Sequence, residues 1–414
     1  MHRPLFRTFL VAAIALSLAG RAAADDPVRE TAIKLNQVTG KTAMQARLVE
    51  LAKDEAGTKK LIAAAVKMIK DEKPSPLNYT ACLILAQAAH YFKDSDNALT
   101  LYKACAAEAV KLKSENKIVE AFVGMIDLHI ATKKYDEAIM ACQEFLAIEV
   151  DDKENPINLE KPLVLAKLIS TLAKAGKADE AIKMVDNMIE KDQGGWFFVR
   201  LKGEVLREAE KHGDAADAFL TAIERLKKTD RLEDEAKNLF IKQTRYLLSN
   251  VYVDARQIDK SAEQLQILLK DDPDNPTFLN DLGFIWADHD MNIEESEKLI
   301  RKAIEKDREQ RKKIEGLPKG EDVDNAAYID SLGWVLYKKK DYKEAKKQLQ
   351  EAVKLEGGKH IEIYDHLADV HVALGEKDEA IKVWKESLKF ENLNRREKER
   401  RKVIEQKLAD LEKK

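Results

Sequence analysis

The feature that most constrains this chain is a recurrence in its C-terminal half. Four stretches begin at Leu247, Phe278, Tyr328 and Ile363 and share one pattern. Each carries a Leu followed by a small residue: Leu248–Ser249, Leu282–Gly283, Leu332–Gly333 and Leu367–Ala368. Larger apolar residues and then a charged turn come next. An acid–Ala pair (Glu344–Ala345, Glu379–Ala380) and a second apolar ladder close the last two units. Leu248 and Leu282 are 34 residues apart, and Leu332 and Leu367 are 35 apart. A period of about 34 residues carrying two helical ladders describes a helix pair that cannot bury both faces alone, so neighbouring pairs must stack. Composition agrees. Hydrophobic residues are 45% and charged residues 35%, which suits amphipathic helices with solvated outer faces. The 16 Gly and 9 Pro are too few for a turn-rich all-β chain or a disordered one.

On these residues the sequence resembles the tetratricopeptide-repeat family. The family's motif of large apolar, Leu, small, aromatic, Ala, aromatic, Ala and Pro falls on Ile329, Leu332, Gly333, Leu336, Ala345, Leu349 and Ala352, with Gly357 in place of the Pro. In the last unit it falls on Tyr364, Leu367, Ala368, His371, Ala380, Trp384 and Ser387, and the Leu248 unit closes on Pro273. The resemblance implies an all-α, right-handed superhelical solenoid of about eight or nine stacked antiparallel helix pairs with a C-terminal capping helix. Small residues sit where backbones approach, and larger ones fill the gaps beside them.

Weaker copies occupy the N-terminal half. Leu85 precedes a ladder of Ala98, Tyr102 and Cys105; Ala138, Cys142 and Phe145 form another. Leu168 leads the stretch from Ala173, and Gly203, Ala218 and Ala222 mark a looser unit. The expected organisation is a leader at 1–24, a degenerate helical cap at 25–76, degenerate units at 77–230, well-formed units at 231–391 and a charged helix at 392–414. Two interruptions are expected. One is a polar linker at 151–161, where Pro156 blocks helix continuation. The other is a charged insertion at 307–325, whose first half extends the preceding helix and whose second half, with Gly316, Pro318 and Gly320, is a loop. The final helix has one apolar stripe, Val403, Ile404, Leu408 and Leu411, as a solenoid cap should.

The N-terminus reads as a secretory signal. Arg3 and Arg7 precede the apolar run Thr8–Ala19, and Ala22–Ala23–Ala24 offers a small-residue cleavage site. A mitochondrial presequence is the rival, but it should be amphipathic and Ser-rich. The expected location is the periplasm or outside the cell, with cleavage after Ala24 and no lipid-bearing Cys beside it. No later segment is apolar enough to span a membrane. Loss of the leader makes the net charge of −3 three units more negative, since Arg3, Arg7 and Arg21 leave with it. That balance excludes a nucleic-acid partner, which selects a basic field.

Signals for chemistry are absent. No phosphate loop, dinucleotide fingerprint, nucleophile elbow or zinc-protease motif occurs, so neither catalysis nor a cofactor is expected. Cys82, Cys105 and Cys142 read as small core thiols, with a Cys82–Cys105 bridge as the alternative in an oxidising compartment. His360, His366 and His371 form the one histidine cluster. His366 and His371 are five residues apart and so lie on different helix faces, which disfavours a metal site. Asn78–Tyr79–Thr80 matches a glycosylation sequon that is common by chance.

Function rests on the resemblance. It implies that the first helix of each unit lines a concave groove through its second, fifth, ninth and twelfth residues. These are Gln243, Tyr246, Asn250 and Val253; Thr277, Asn280, Phe284 and Ala287; Ala327, Asp330, Trp334 and Tyr337; and Glu362, Asp365, Asp369 and Val372. The candidate groove therefore has an aromatic stripe (Tyr246, Phe284, Trp334, Tyr337) running into an acidic end (Asp330, Glu362, Asp365, Asp369), with Asn250 and Asn280 placed to hold a ligand backbone. Solvent-facing aromatics are good anchors, and the acidic end favours a basic or aromatic-rich protein segment. The basic clamp by which some family members grip acidic tails is missing. The competing expectation is that helix 393–414 folds back into the stripe, or that the stripe packs on the next unit. The expected role is an exported scaffold for protein–protein interaction; the alternative is a structural subunit of a cell-envelope secretion or polysaccharide-assembly complex.

Overall fold

A computed structural model describes residues 26–192, 195–314, 322–391 and 393–413. The expected leader lies outside the described residues. Every regular element among them is helical: twenty α-helices and one 3-10 turn at Leu35–Gln37. The chain divides into two compact units, with the division falling at residues 193–211.

The first unit opens with α1 (Pro27–Lys34), α2 (Lys41–Lys53) and α3 (Glu55–Asp71). Three pairs follow: α4 (Tyr79–Tyr91) with α5 (Ser95–Lys111), α6 (Glu115–Ala131) with α7 (Tyr135–Leu146), and α8 (Pro156–Lys174) with α9 (Ala178–Lys191). The N-terminal cap is clasped to the first pair by two asparagines. Asn36 Nδ2 donates to the Pro76 carbonyl at 2.8 Å, and Asn78 N donates to Asn36 Oδ1 at 2.8 Å. Asn78 also caps α4, its Oδ1 accepting from Ala81 N at 3.0 Å. The sequon asparagine is thus committed to structure on both sides.

Next come α10 (Phe197–Glu208) and α11 (His212–Lys228). The second unit continues with α12 (Asp234–Asp254) and α13 (Ile258–Asp271), α14 (Pro276–Asp288) and α15 (Ile293–Arg311), α16 (Ala326–Lys338) and α17 (Tyr342–Ala352), α18 (Ile361–Ala373) and α19 (Lys377–Ser387). It ends with α20 (Arg395–Glu412). The pairs number eight among the described residues, within the expected range.

Most pairs reverse through one residue with positive φ, among them Lys93, Lys133, Gly176, Arg256, Asp290, Lys340 and Gly375. The turn then closes with an amide reaching back five residues to a last-turn carbonyl. Met291 N meets Trp286 O at 2.7 Å, Asp341 N meets Leu336 O at 3.0 Å, and Glu376 N meets His371 O at 2.9 Å. This is the cap that satisfies orphan carbonyls at a helix end. The small residues of the motif sit where helices touch. A Cβ on Gly333 would stand 2.5 Å from Leu349 Cγ, and one on Gly283 would meet Ile300 Cγ1 at 2.8 Å and the Ser296 carbonyl at 2.9 Å.

Three expectations need correction or sharpening. Pro156 does not interrupt a helix but starts one: it occupies the first turn of α8, where its missing N–H has no partner to lose, and Asn155 Oδ1 accepts from Ile157 N at 3.0 Å. The linker thus ends six residues earlier than expected, at Asn155. In the 307–325 insertion, α15 does extend to Arg311, and 322–325 are not helical. Arg308 and Arg311 tie its two ends together, Arg308 Nε donating to Asp324 Oδ1 at 2.8 Å and Arg311 Nη2 at 2.9 Å. In α20, Ile404 and Leu408 are buried but Val403 is 49% exposed. Ile404, Leu408 and Leu411 lie three to four residues apart on one face, and Val403 falls off it.

The three cysteines are free and buried. Burial pushes the Cys142 thiol up to about 12, and burial raises Cys105 as well. Such thiols stay protonated and unreactive, in line with a packing role. No helix of the described residues is long and apolar enough to cross a membrane.

Candidate functional site: the first-helix face of the second unit

Four helices, α12, α14, α16 and α18, carry the candidate groove residues. Three of them start on side-chain caps: Asn275 Oδ1 accepts from Thr277 N at 3.1 Å for α14, Asn325 Oδ1 accepts from Ala327 N at 3.0 Å for α16, and His360 Nδ1 accepts from Glu362 N at 3.3 Å for α18. The spacing of the groove residues then follows from the helix period, which returns a side chain to the same face every three to four residues.

On α12, half-buried Tyr246 donates its hydroxyl to Asp281 Oδ2 on α14 at 2.8 Å, and its ring lies 5.5 Å from that of Phe278. Burial and the Asp281 carboxylate raise the phenol well above its usual range. Asn250 Nδ2 is spent on the Tyr246 carbonyl at 2.9 Å. On α14, Asn280 is 6% exposed, and its Oδ1 has no hydrogen-bond partner among the described residues. Phe284 is half-buried, its ring centre 6.2 Å from His366.

On α16 the aromatic stripe turns inward. Trp334 is 8% exposed, and its Nε1 donates to Asp288 Oδ1 at 2.9 Å. Its ring stacks on Tyr337 at 4.8 Å and on His366 at 4.1 Å, both nearly parallel. The expectation of an open aromatic surface is therefore corrected at Trp334, which is packed by neighbouring units, while Tyr246, Phe284 and Tyr337 remain half-buried. Asp330, 5% exposed, pairs with His366 Nδ1 at 2.9 Å. His366 was assigned no role by spacing, yet it joins α14, α16 and α18. Burial opposes its charge, and Asp330 outweighs burial and raises its pKa. Its Nε2 is buried without a hydrogen-bond partner among the described residues.

The acidic end is covered. α20 packs on α18 and α19 through Ile404 and Leu408 against Ile361, Ala368 and Trp384. Its basic residues meet the groove carboxylates one by one. Asp365 is fully buried and accepts from Trp384 Nε1 at 3.0 Å, Arg400 Nη1 at 3.1 Å and Lys407 Nζ at 2.9 Å. Asp369 accepts from Lys407 Nζ at 2.7 Å. Arg400 also binds Glu362, and Arg396 donates Nε to Asp254 at the end of α12 at 2.8 Å. His360 Nδ1 accepts from Glu362 N at 3.3 Å, so its Nε2 is free to donate to Glu397 of α20 at 3.0 Å. Burial works against the Asp365 charge, but Lys407 and Arg400 outweigh it and hold the carboxyl below its usual range. Burial and neighbouring Asp365 instead raise Asp369.

The nine candidate groove residues thus divide. Asp330 and Trp334 are packed together through His366, and Asp365 and Asp369 are engaged by α20. Tyr337 lies near the Lys407–Asp369 pair, while Tyr246, Asn250, Asn280 and Phe284 make no described contact with α20. A solvated-cap reading of the final helix names none of these cations, whereas the competing fold-back of helix 393–414 brings them to the acidic end. Their signal is the step from Arg396 to Arg400 to Lys407, four and seven residues, which returns to one helix face. His360, His366 and His371 do not converge, and no group of described residues is arranged to hold a metal. His371 is a core residue, 4% exposed and paired with Glu376 at 2.5 Å.

Residues 246–310 and 325–355 match the tetratricopeptide-repeat family. A TPR repeat-containing protein of Pseudomonas aeruginosa is 26% identical over 182 residues, 44% of this chain and 26% of its own length. The chain therefore spans about a quarter of that curated relative. Among solved structures, a tetratricopeptide repeat protein from Parabacteroides merdae is similar at 12% identity, covering 69% of this chain and 98% of its own, with a TM-score of 0.47. MamA from Desulfovibrio magneticus is similar at 19% identity, covering 46% of this chain and 94% of its own, with a TM-score of 0.33. With two matched stretches and helix pairs of the expected length and turn, this chain carries tetratricopeptide repeats at residues 246–310 and 325–355.

Proposed function

We propose that this protein is an exported scaffold that holds a protein partner along the first-helix face of residues 234–373. The observation that carries the reading is the pairing of that face with α20: a basic helical segment fits the Asp365–Asp369 end through several charge-assisted hydrogen bonds. Half-buried Tyr337 beside the α20 ion pair, and Tyr246 and Phe284 beyond it, continue the face as aromatic anchors. The partner class that suits both ends is a basic segment with an aromatic or aliphatic flank. Repeat architecture alone is silent on partner identity.

The test is photo-crosslinking from position 250 in the source cells, followed by identification of the crosslinked protein. A single partner lost on Phe284→Ala with Tyr337→Ala, in a chain that keeps its helical signal, supports the reading. Capture undiminished by that pair sinks it. N-terminal sequencing of the protein from those cells checks export: a start at Asp25 is expected, and a retained Met1 or Arg3 counts against it.

A further inference from the structure

We infer that α20 is a displaceable occupant of the acidic end, and that what replaces it is a partner's basic amphipathic helix with cations at the spacing of Arg396, Arg400 and Lys407. The inference rests on the proposed scaffold role for the existence of a natural partner, but not for the displacement itself.

Two observations carry it. The first is how α20 is held. Among the described side chains of this helix only Ile404 and Leu408 are buried, with Leu411 half-buried beside them. Arg401 adds hydrogen bonds to the Leu388 and Phe390 carbonyls, and the other attachments are ion pairs whose cationic side chains are partly open to water: Arg396 is 49%, Arg400 29% and Lys407 31% exposed. A helix with so small an apolar anchor and so many solvent-facing ion pairs belongs to the low-stability end of a fold. The second is what it leaves behind. Asp365 is fully buried beneath it, and Asp369 is 17% exposed. Carboxylates four residues apart repel one another, and the cations of α20 offset that repulsion while it covers them. Departure of α20 therefore creates a demand that another basic helix meets and that an acidic or neutral segment does not. The spacing sets the match: steps of four and seven residues keep all three cations on one face, over Asp254, Glu362, Asp365 and Asp369 in turn.

The probe is a labelled synthetic peptide of residues 393–413, added to the full chain. Wild-type protein should bind it weakly, because its own α20 holds the site. The full-length double variant Arg400→Gln with Lys407→Gln should bind it about tenfold or more tightly, since the competent fraction sets the apparent affinity. Binding should disappear with Asp365→Asn and Asp369→Asn added, and for a peptide whose three cations are Gln. Equal peptide affinity for wild type and double variant overturns the inference. Because the variant could be disturbed in its fold, amide hydrogen exchange on the wild-type chain gives an independent arm. Amides of 397–411 should exchange faster than those of α16 and α18; equal protection overturns displacement. A dimer that grows with concentration by exchange of α20 between copies overturns the assignment to a partner's helix. A locked α20 together with a partner still crosslinked from position 250 removes this inference alone; a mobile α20 with no partner captured removes only the scaffold reading.

Discussion

Lys407 and Asp365 meet across 42 residues of chain, Nζ to Oδ1 at 2.9 Å, with the carboxylate fully buried and the ammonium still one-third exposed. The same Nζ reaches Asp369, so one cation serves two acids. Coulomb attraction there is strengthened by the desolvated carboxylate and weakened by the solvent around the lysine. The pairing decides the ionisation of both acids, lowering one while the other stays raised by its neighbour.

Removing Lys407 should therefore cost more than removing the acid it shares. We expect Lys407→Met to destabilise the second unit by about 1–3 kcal/mol, below the range for a wholly buried pair because the lysine is partly solvated. Asp369→Asn should cost less, and the two together less than their sum. Urea unfolding of the wild type and the three variants measures the coupling; simple additivity would show that the two residues act independently.

Gly283 should not tolerate even a methyl group. Its neighbour is not only the flexible Ile300 side chain but also the Ser296 carbonyl at 2.9 Å, which belongs to the backbone of α15 and cannot rotate away. Gly283→Ala should lower stability by about 1–3 kcal/mol despite the gain in helix propensity of about 1 kcal/mol. Gly213, which has open space at its Cβ position, is the control: Gly213→Ala should be neutral or stabilising in the same melt.

His366 should make stability depend on pH in a defined direction. Its folded pKa is raised, because Asp330 outweighs burial. The stabilising charge is then fully present below the unfolded value of about 6.5 and is lost as pH rises through the higher folded value. His366→Gln should cost more stability at pH 6 than at pH 8. An equal cost at both would mean that the ring acts only through its stacking on Trp334.

The sequence by itself determined the repeat. The Leu–small pairs fix where helices approach, because only Gly, Ala or Ser leaves room for the side chain facing it, as Gly333 does for Leu349. The period fixes the pair, and the helix period fixes which residues share a face, so the fifth and ninth positions were legible before any coordinates. Tertiary structure alone decided what those positions touch. Trp334 sinks because His366 and Asp288, from two other repeats, meet its ring and its N–H. Asp365 and Asp369 are covered because α20 folds back with cations on one face, 35 to 42 residues later in the chain. A charged helix read locally is simply solvated; its partners are set by packing between separate repeats, and local periodicity holds no record of those distances.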